Sequence, residues 1–237
     1  MTNEKAEFDD FAVGFNESLI EHLGVFAKFR QSMLYYKMQY IKYFLPETPS
    51  AILDYGCGIG LNAPYLREYF PDAELFGCDV SGKSISLAKE NFKSCTFNTI
   101  IDVNDLKIYK NKIDCVFISC VLHHIPFNEH EKWLYGLRDI LKEGGHIVVF
   151  EMNMNNPLSK RLVKNTPCDK NANMLDTRYC KNLMKKIFGE AAPVRLSYTY
   201  FFPWRNEVFT WLEHRLLWLP LGAQYCVTVQ KRSGLPV

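Results

Sequence analysis

Two short stretches of this 237-residue chain hold residues whose types and spacing point to chemistry. The first reads AILDYGCGIG: an apolar run closing on Asp54, then Gly56, Gly58 and Gly60, with Cys57 between the first two glycines. Glycine loses more backbone freedom on ordering than any other residue. Three in five positions therefore imply a turn that needs positive φ, or a ligand lying against bare backbone. A merely tight strand-to-helix turn usually needs one. A dinucleotide turn of the G-x-G-x-x-G type would place its third glycine one residue later. The second stretch, SCVLHHIP, puts His123 and His124 directly after another apolar run. An imidazole titrates near neutral pH, so either could deprotonate a hydroxyl or orient an amine. A helix cap or a packed loop position is the structural alternative.

Acidic residues close successive apolar runs in step with the glycine turn. FGCDVS places Asp79 and Val80 about 20 residues after it, the position suited to hold two ribose hydroxyls. IIDV sets Asp102 between Ile101 and Val103, where two apolar side chains could sandwich an adenine while the carboxylate accepts from its exocyclic amine. One such acid is more often a cap or solvated; Asp54, Asp79 and Asp102 in order point to a nucleoside. Glu151 and Asn153 close a further run two residues apart, so alternation sends both to one face, towards an acceptor or into the following loop. Tyr35, Tyr36 and Lys37 could contact an anion, with a solvent-facing position the expectation.

These residues need a frame, and the periodicity supplies one. The first 45 residues are expected to be helical, with Phe8, Phe11 and Phe15 about a turn apart and an apolar-periodic run from Val25 to Leu45 stopping at Pro46. Strands are expected at 51–57, 73–80, 96–102, 113–120 and 146–153. They alternate with helices over 61–70, over 81–93 (opened by Ser81 as a cap), and over 129–142, ended by Gly144 and Gly145. Near-continuous apolar strands alternating with helices signal a parallel sheet covered on both faces. Residues 154–175 read as a polar, turn-rich connection over the sheet's carboxyl edge. A helix over 177–188, a strand over 193–202, an aromatic helical segment over 206–219 and a strand over 224–231 follow. Val208, Trp211, Leu212 and Leu216 fit one helical face, for which core packing is expected; a dimer face or a wall for a lipid or aromatic acceptor is the alternative.

Composition narrows the class. Hydrophobic residues make up 48% and charged residues 23%, as in an ordinary globular protein. No apolar run approaches the roughly 18 residues of a membrane span, and the polar start carries no signal-peptide core. Eight cysteines, among them Cys168, are scattered without CxxC pairs or histidine partners at metal spacing. A reducing, cytoplasmic setting with structural cysteines and no metal is therefore expected. Residues 1–150 carry 15 Lys and Arg against 20 Asp and Glu, and residues 151–237 carry 13 against 6. The basic part suits either solvated helix faces or an anionic substrate. No arginine stripe with interleaved aromatics favours nucleic acid.

ILDYGCGIG, FGCDVSGKSISLAKEN, IDCVFISCVLHHIP and LKEGGHIVVFEMN, in this order and spacing, resemble the successive motifs of class I S-adenosylmethionine-dependent methyltransferases. The resemblance is close over about residues 45–155. The flanks resemble a small bacterial subgroup through FDDFAVGFNESL, NPLSKRLVKNTPCDK, Tyr200–Pro203, Glu213 and Leu219–Tyr225, although Phe15 stands where that subgroup tends to have tyrosine and Met152 where it tends to have histidine.

The resemblance implies a single α/β domain: a Rossmann-like, doubly wound, mostly parallel seven-stranded sheet. A helical cap would span 1–45, the cofactor-binding core 46–153, and the substrate side with the last strands 154–237. It implies S-adenosyl-L-methionine as cofactor. Asp54, Gly56, Cys57, Gly58 and Gly60 would border its methionine and ribose, Asp79 and Val80 the ribose, Asp102 and Val103 the adenine, and the backbone of Ser119 and Cys120 the amino group. His124, then His123, would serve as base if the acceptor must lose a proton, with Glu151 beside them and Asp169 a weaker acceptor-side candidate. The acceptor is expected to be a small molecule methylated on oxygen, nitrogen or carbon, anionic or glycan- or lipid-linked, with weak lipid contact and a homodimer among the options. The alternative is a catalytically silent nucleotide-binding scaffold. A nicotinamide oxidoreductase is disfavoured by the glycine spacing and by the lack of a Tyr-x-x-x-Lys pair after the fourth strand.

Overall fold

The computed structural model describes residues 30–166, 169 and 172–232. Phe8, Phe11, Phe15, the FDDFAVGFNESL match and Cys168 lie outside them. In chain order the elements are helix α1 (Arg30–Phe44), strand β1 (Ala51–Tyr55), α2 (Ala63–Tyr69), β2 (Glu74–Asp79), α3 (Gly82–Asn91) and β3 (Thr96–Thr99). A 3-10 turn over Val103–Tyr109, β4 (Ile113–Ser119) and a short 3-10 turn over Leu122–His124 follow. The chain continues through α4 (His130–Ile140), β5 (Leu141–Met152), α5 (Pro157–Asn165), α6 (Thr177–Phe188), β6 (Arg195–Thr199), α7 (Glu207–Leu216) and β7 (Gln224–Gln230).

The seven strands form one sheet in the order β3-β2-β1-β4-β5-β7-β6. The first five in that row run parallel, and β7 lies antiparallel between β5 and β6. Strand β1 is buried along its whole length, as a parallel strand covered on both faces must be. Alternation divides its side chains. Leu53 and Tyr55 join Trp133, Leu134, Leu137, Cys180, Met184 and Ile187 of α4 and α6. Ile52 joins Met38, Ile41 and Leu66 of α1 and α2. The same parity assigns Asp54 and Ser119 to the α1 layer and Glu151 to the α4 layer. Among the described residues no helix is long and apolar enough to cross a membrane.

Local signals fix several boundaries. Ser81 caps α3, its Oγ accepting from the Ser84 N–H at 3.0 Å. Asp176 caps α6, accepting from the Tyr179 N–H at 2.7 Å. Three expectations need correction. Residues 154–175 are not all turn, because α5 forms there, with Asn156 accepting from the Leu158 and Ser159 N–H groups and Pro157 in the first turn. Gly144 and Gly145 do not end α4. Strand β5 already begins at Leu141, and the glycines sit inside it, at a shift of register between Ile113 and Cys115 of β4. Helix α7 does not pack Val208 and Trp211 into the core. Both are exposed, as are Trp204 and Trp218, and the residue that α7 buries is Glu213.

Glu213 explains why β6 stops. Its carboxylate accepts from the N–H groups of Tyr200 (3.0 Å), Phe201 (2.6 Å) and Phe202 (3.0 Å), and Tyr200 takes φ +64°. Burial pushes the Glu213 carboxyl up to about 7 despite these donors. Its folded-state value lies above its ordinary one, so the stability it contributes is full below about pH 4.5 and is lost as pH rises through 7. Glu213→Ala strands three N–H groups and should cost about 2–4 kcal/mol in chemical denaturation. Glu213→Gln cannot ionise. Relative to this variant, the native chain should lose stability between pH 4.5 and 7, and parallel pH profiles would contradict the assignment.

Candidate active site

The carboxyl ends of β1, β2 and β4 meet at one rim, where three constructions stand side by side. The first is the glycine turn. Gly56, Gly58 and Gly60 all take positive φ, at +72°, +53° and +83°. A Cβ on Gly56 would come within 2.5 Å of Val121 Cγ2, so bare backbone is required there. A Cβ on Gly58 would meet nothing within 4 Å, so its backbone faces open space. The Asp79 carboxylate fixes the turn, accepting from the Gly58 N–H at 2.8 Å and the Ser81 N–H at 2.9 Å. It is turned into the rim, with Val80 half-buried after it. Asp54 lies buried below, accepting from the Asn62 amide at 3.0 Å, and burial raises its carboxyl to about 7. Cys57 is buried and its thiol is pushed up by the same desolvation.

The second construction is a buried cation. Lys37 on α1 was expected to face solvent; it is 4% exposed, and Tyr36 beside it is buried too. α1 presses Met38 and Ile41 onto the sheet, which carries Lys37 with them. Its Nζ donates to Ser119 Oγ at 2.7 Å and stands 5.7 Å from the centre of the Phe150 ring. Tyr36 donates to the Trp204 carbonyl, and Tyr35 pairs with Thr210 at 3.2 Å, so α1 is fastened to α7 and its approach. Cys120, next to Ser119, holds φ +57° while its N–H donates to the Phe150 carbonyl at 2.8 Å. A non-glycine residue in that region stores about 1–3 kcal/mol of strain.

The third is the histidine turn. Glu151 accepts from the Leu122 N–H at 2.9 Å and lies 2.5 Å from His123 Nδ1. Asp169 reaches over from the segment after α5: its Oδ1 stands 3.5 Å from His123 Nε2 and 3.5 Å from His124 Nε2. The Asn173 N–H donates to the His123 carbonyl at 2.8 Å, holding that segment in place. Burial opposes the charge of His123, yet Glu151 and Asp169 outweigh it and lift its pKa well above the ordinary value. Burial and the neighbouring His123 lower His124 to about 4.

Two sequence-derived candidates do different work. Asp102 caps the 3-10 turn over Val103–Tyr109: its Oδ1 accepts from the Asn104 N–H at 2.9 Å, and Lys132 stands 3.6 Å from its Oδ2. Val103 packs so closely on α4 that a Cβ on Gly136 would come within 2.4 Å of it. Asn153 follows β5 and donates to the Pro220 and Gly222 carbonyls at 3.1 and 2.8 Å, tying down the approach to β7. Lys37 and Asp169 carry more of the rim than their sequence context indicated. The one signal for Lys37 was its place among Tyr36, Met38, Tyr40 and Ile41, all buried.

The chain is similar to known proteins in sequence and in fold. Residues 52–145 match the family model described as a methyltransferase domain. The demethylmenaquinone methyltransferase of Thermotoga maritima is 25% identical over 117 residues, 49% of this chain and 50% of that protein, so this chain spans half of that relative's length. A solved S-adenosylmethionine-dependent methyltransferase from Thermotoga maritima superimposes with TM-score 0.63 at 19% identity, over 92% of this chain and 98% of that one. A plantazolicin methyltransferase, solved with a desmethyl plantazolicin analogue and S-adenosylhomocysteine, gives TM-score 0.62 at 19% identity over 98% of both chains. Residues 52–145 are therefore similar to a methyltransferase domain, and the chain has the fold of these solved structures.

Proposed function

We propose that the chain transfers a methyl group from S-adenosylmethionine to a small-molecule acceptor. The observation that carries this reading is the glycine turn: three left-handed glycines, one of them facing open space, pinned by Asp79 at the end of the neighbouring strand. Such a cradle fits a nucleoside, whose ribose hydroxyls can donate to the Asp79 carboxylate. The Lys37 ammonium has three donors and gives one to Ser119; a carboxylate on the methionine side of the ligand suits the others. In this reading the Asp102 carboxylate, beside the exposed Ile101, would border the adenine.

S-adenosylmethionine supplies a methyl group already activated on a sulfonium, so the protein's work is alignment and exclusion of water. Positioning of this kind is worth on the order of 7–11 kcal/mol. The histidine turn follows the strand end at Ser119 and Cys120, and His123, His124 and Asp169 form the acceptor-facing wall. Glu151 acts through His123 and is a positioning residue. The related proteins' names cover acceptors as different as demethylmenaquinone and a plantazolicin analogue. The basic part after residue 151 favours an anionic acceptor for this chain.

Calorimetric titration with S-adenosylmethionine and S-adenosylhomocysteine, followed by labelled-methyl transfer to a panel of anionic small molecules, tests the reading. Absence of saturable binding of either nucleoside would overturn it. Gly58→Ala should fold with a loss of about 1–2 kcal/mol from its positive φ, while the added methyl lowers nucleoside affinity at least about tenfold. Lys37→Met removes a buried charge, so thermal stability should hold or rise. Its affinity for S-adenosylhomocysteine should fall by about 1.5–3 kcal/mol, the worth of a hydrogen bond to a charged group.

A further inference from the structure

The His123 ring makes one hydrogen bond and leaves another undone. Its Nδ1 is engaged by the Glu151 carboxylate at 2.5 Å, whereas its Nε2 is buried and makes no hydrogen bond among the described residues. A buried polar nitrogen without a well-formed hydrogen bond is costly, of the order of 1–3 kcal/mol, and calls for a reason. Two other ligating atoms lie beside it. His123 Nε2, His124 Nε2 and a carboxylate oxygen of Asp169 all lie within 4.8 Å of one another, and both nitrogens stand 3.5 Å from Asp169 Oδ1. Ligands bonded to a tetrahedral ion at about 2.0–2.1 Å lie roughly 3.3–3.4 Å apart, so modest side-chain adjustment closes this triangle on one centre.

We propose that His123 Nε2, His124 Nε2 and the Asp169 carboxylate bind one divalent transition-metal ion. Two imidazoles and one carboxylate suit Zn²⁺, Fe²⁺, Co²⁺ or Ni²⁺ and disfavour Mg²⁺ and Ca²⁺, which take oxygen ligands. Glu151 supplies what a ligating histidine ordinarily has, a carboxylate on its other ring nitrogen that fixes the ring's orientation. The ion takes the place of a proton on Nε2 and satisfies that nitrogen. Three protein ligands leave at least one coordination position for water or for an oxygen or nitrogen atom of the acceptor. That last role rests on the methyl-transfer reading; the metal site itself does not.

The test uses the full chain, stripped of metal with chelator and titrated with Co²⁺ while its visible ligand-field bands are followed. The expected result is saturation at one equivalent per chain, reversed by Zn²⁺, with affinity at least about tenfold weaker in both His124→Gln and Asp169→Asn. His146→Gln, a change on β5 outside the cluster, should bind as the native chain does. Absence of saturable binding at one equivalent, or native affinity in either cluster variant, overturns the proposal. Titration of the same metal-free protein with S-adenosylhomocysteine separates the two readings. Nucleoside binding without Co²⁺ binding removes only the metal site, and Co²⁺ binding without nucleoside binding removes only the methyl-transfer reading.

Discussion

The bare backbone of Gly56 in the glycine turn lies against the side chain of Val121, at the start of the histidine turn. Everything at the rim depends on that approach. A β-carbon at residue 56 would sit 2.5 Å from Val121 Cγ2, and Val121 is followed directly by Leu122 and the two histidines. Separation of the turns would therefore move the glycine backbone and the two histidines apart together. The contact also explains a division of labour among the glycines. Gly56 serves the packing between the turns, and Gly58 serves the open space in front of them. Parallel pairing of β1 with β4 makes the contact possible, because it brings both carboxyl ends to the same edge of the sheet.

Two buried glutamates hold the loops that the sheet alone would leave loose. Glu151 ties the histidine turn to β5, and Glu213 ties the end of β6 to α7. Each accepts from backbone N–H groups that the sheet has ceased to pair, which is the ordinary way for a buried carboxylate to be tolerated. Lys37 is the matching cation, buried through the stem by α1 and reaching Ser119 with its head. These polar groups are thus held in positions set by packing on both layers of the sheet.

Much of this frame was legible in the residues, for reasons that differ from place to place. The glycine turn stood out because few other needs concentrate three glycines in five positions, and all three adopt the positive φ that their type allows. Asp79 was legible through its distance from that turn. Asp102 was ambiguous in sequence and is a cap in structure, since a strand-ending aspartate before a helical turn serves either purpose. Gly144 and Gly145 misled because glycine suits a helix stop and a strand irregularity equally. Helix α5 was overlooked although Asn156 and Pro157 form an ordinary helix start; the polar residues around them outweighed that signal. The burial of Lys37 was signalled only by its apolar neighbours on α1, and the meeting of Asp169 with the histidines was beyond reach, because it arises between segments tens of residues apart that no local period records.

The reversed strand β7 imposes an order on assembly. It lies between β5 and β6, so β6 has no hydrogen-bonded place in the sheet until Gln224–Gln230 has been made. On the ribosome the outer edge of β5 must remain unpaired while more than seventy residues beyond Met152 are synthesised. An apolar edge left open for that long is a template for pairing with other chains. Closure of the sheet, and with it the pairing of Glu151 with Tyr225, waits for the synthesis of β7.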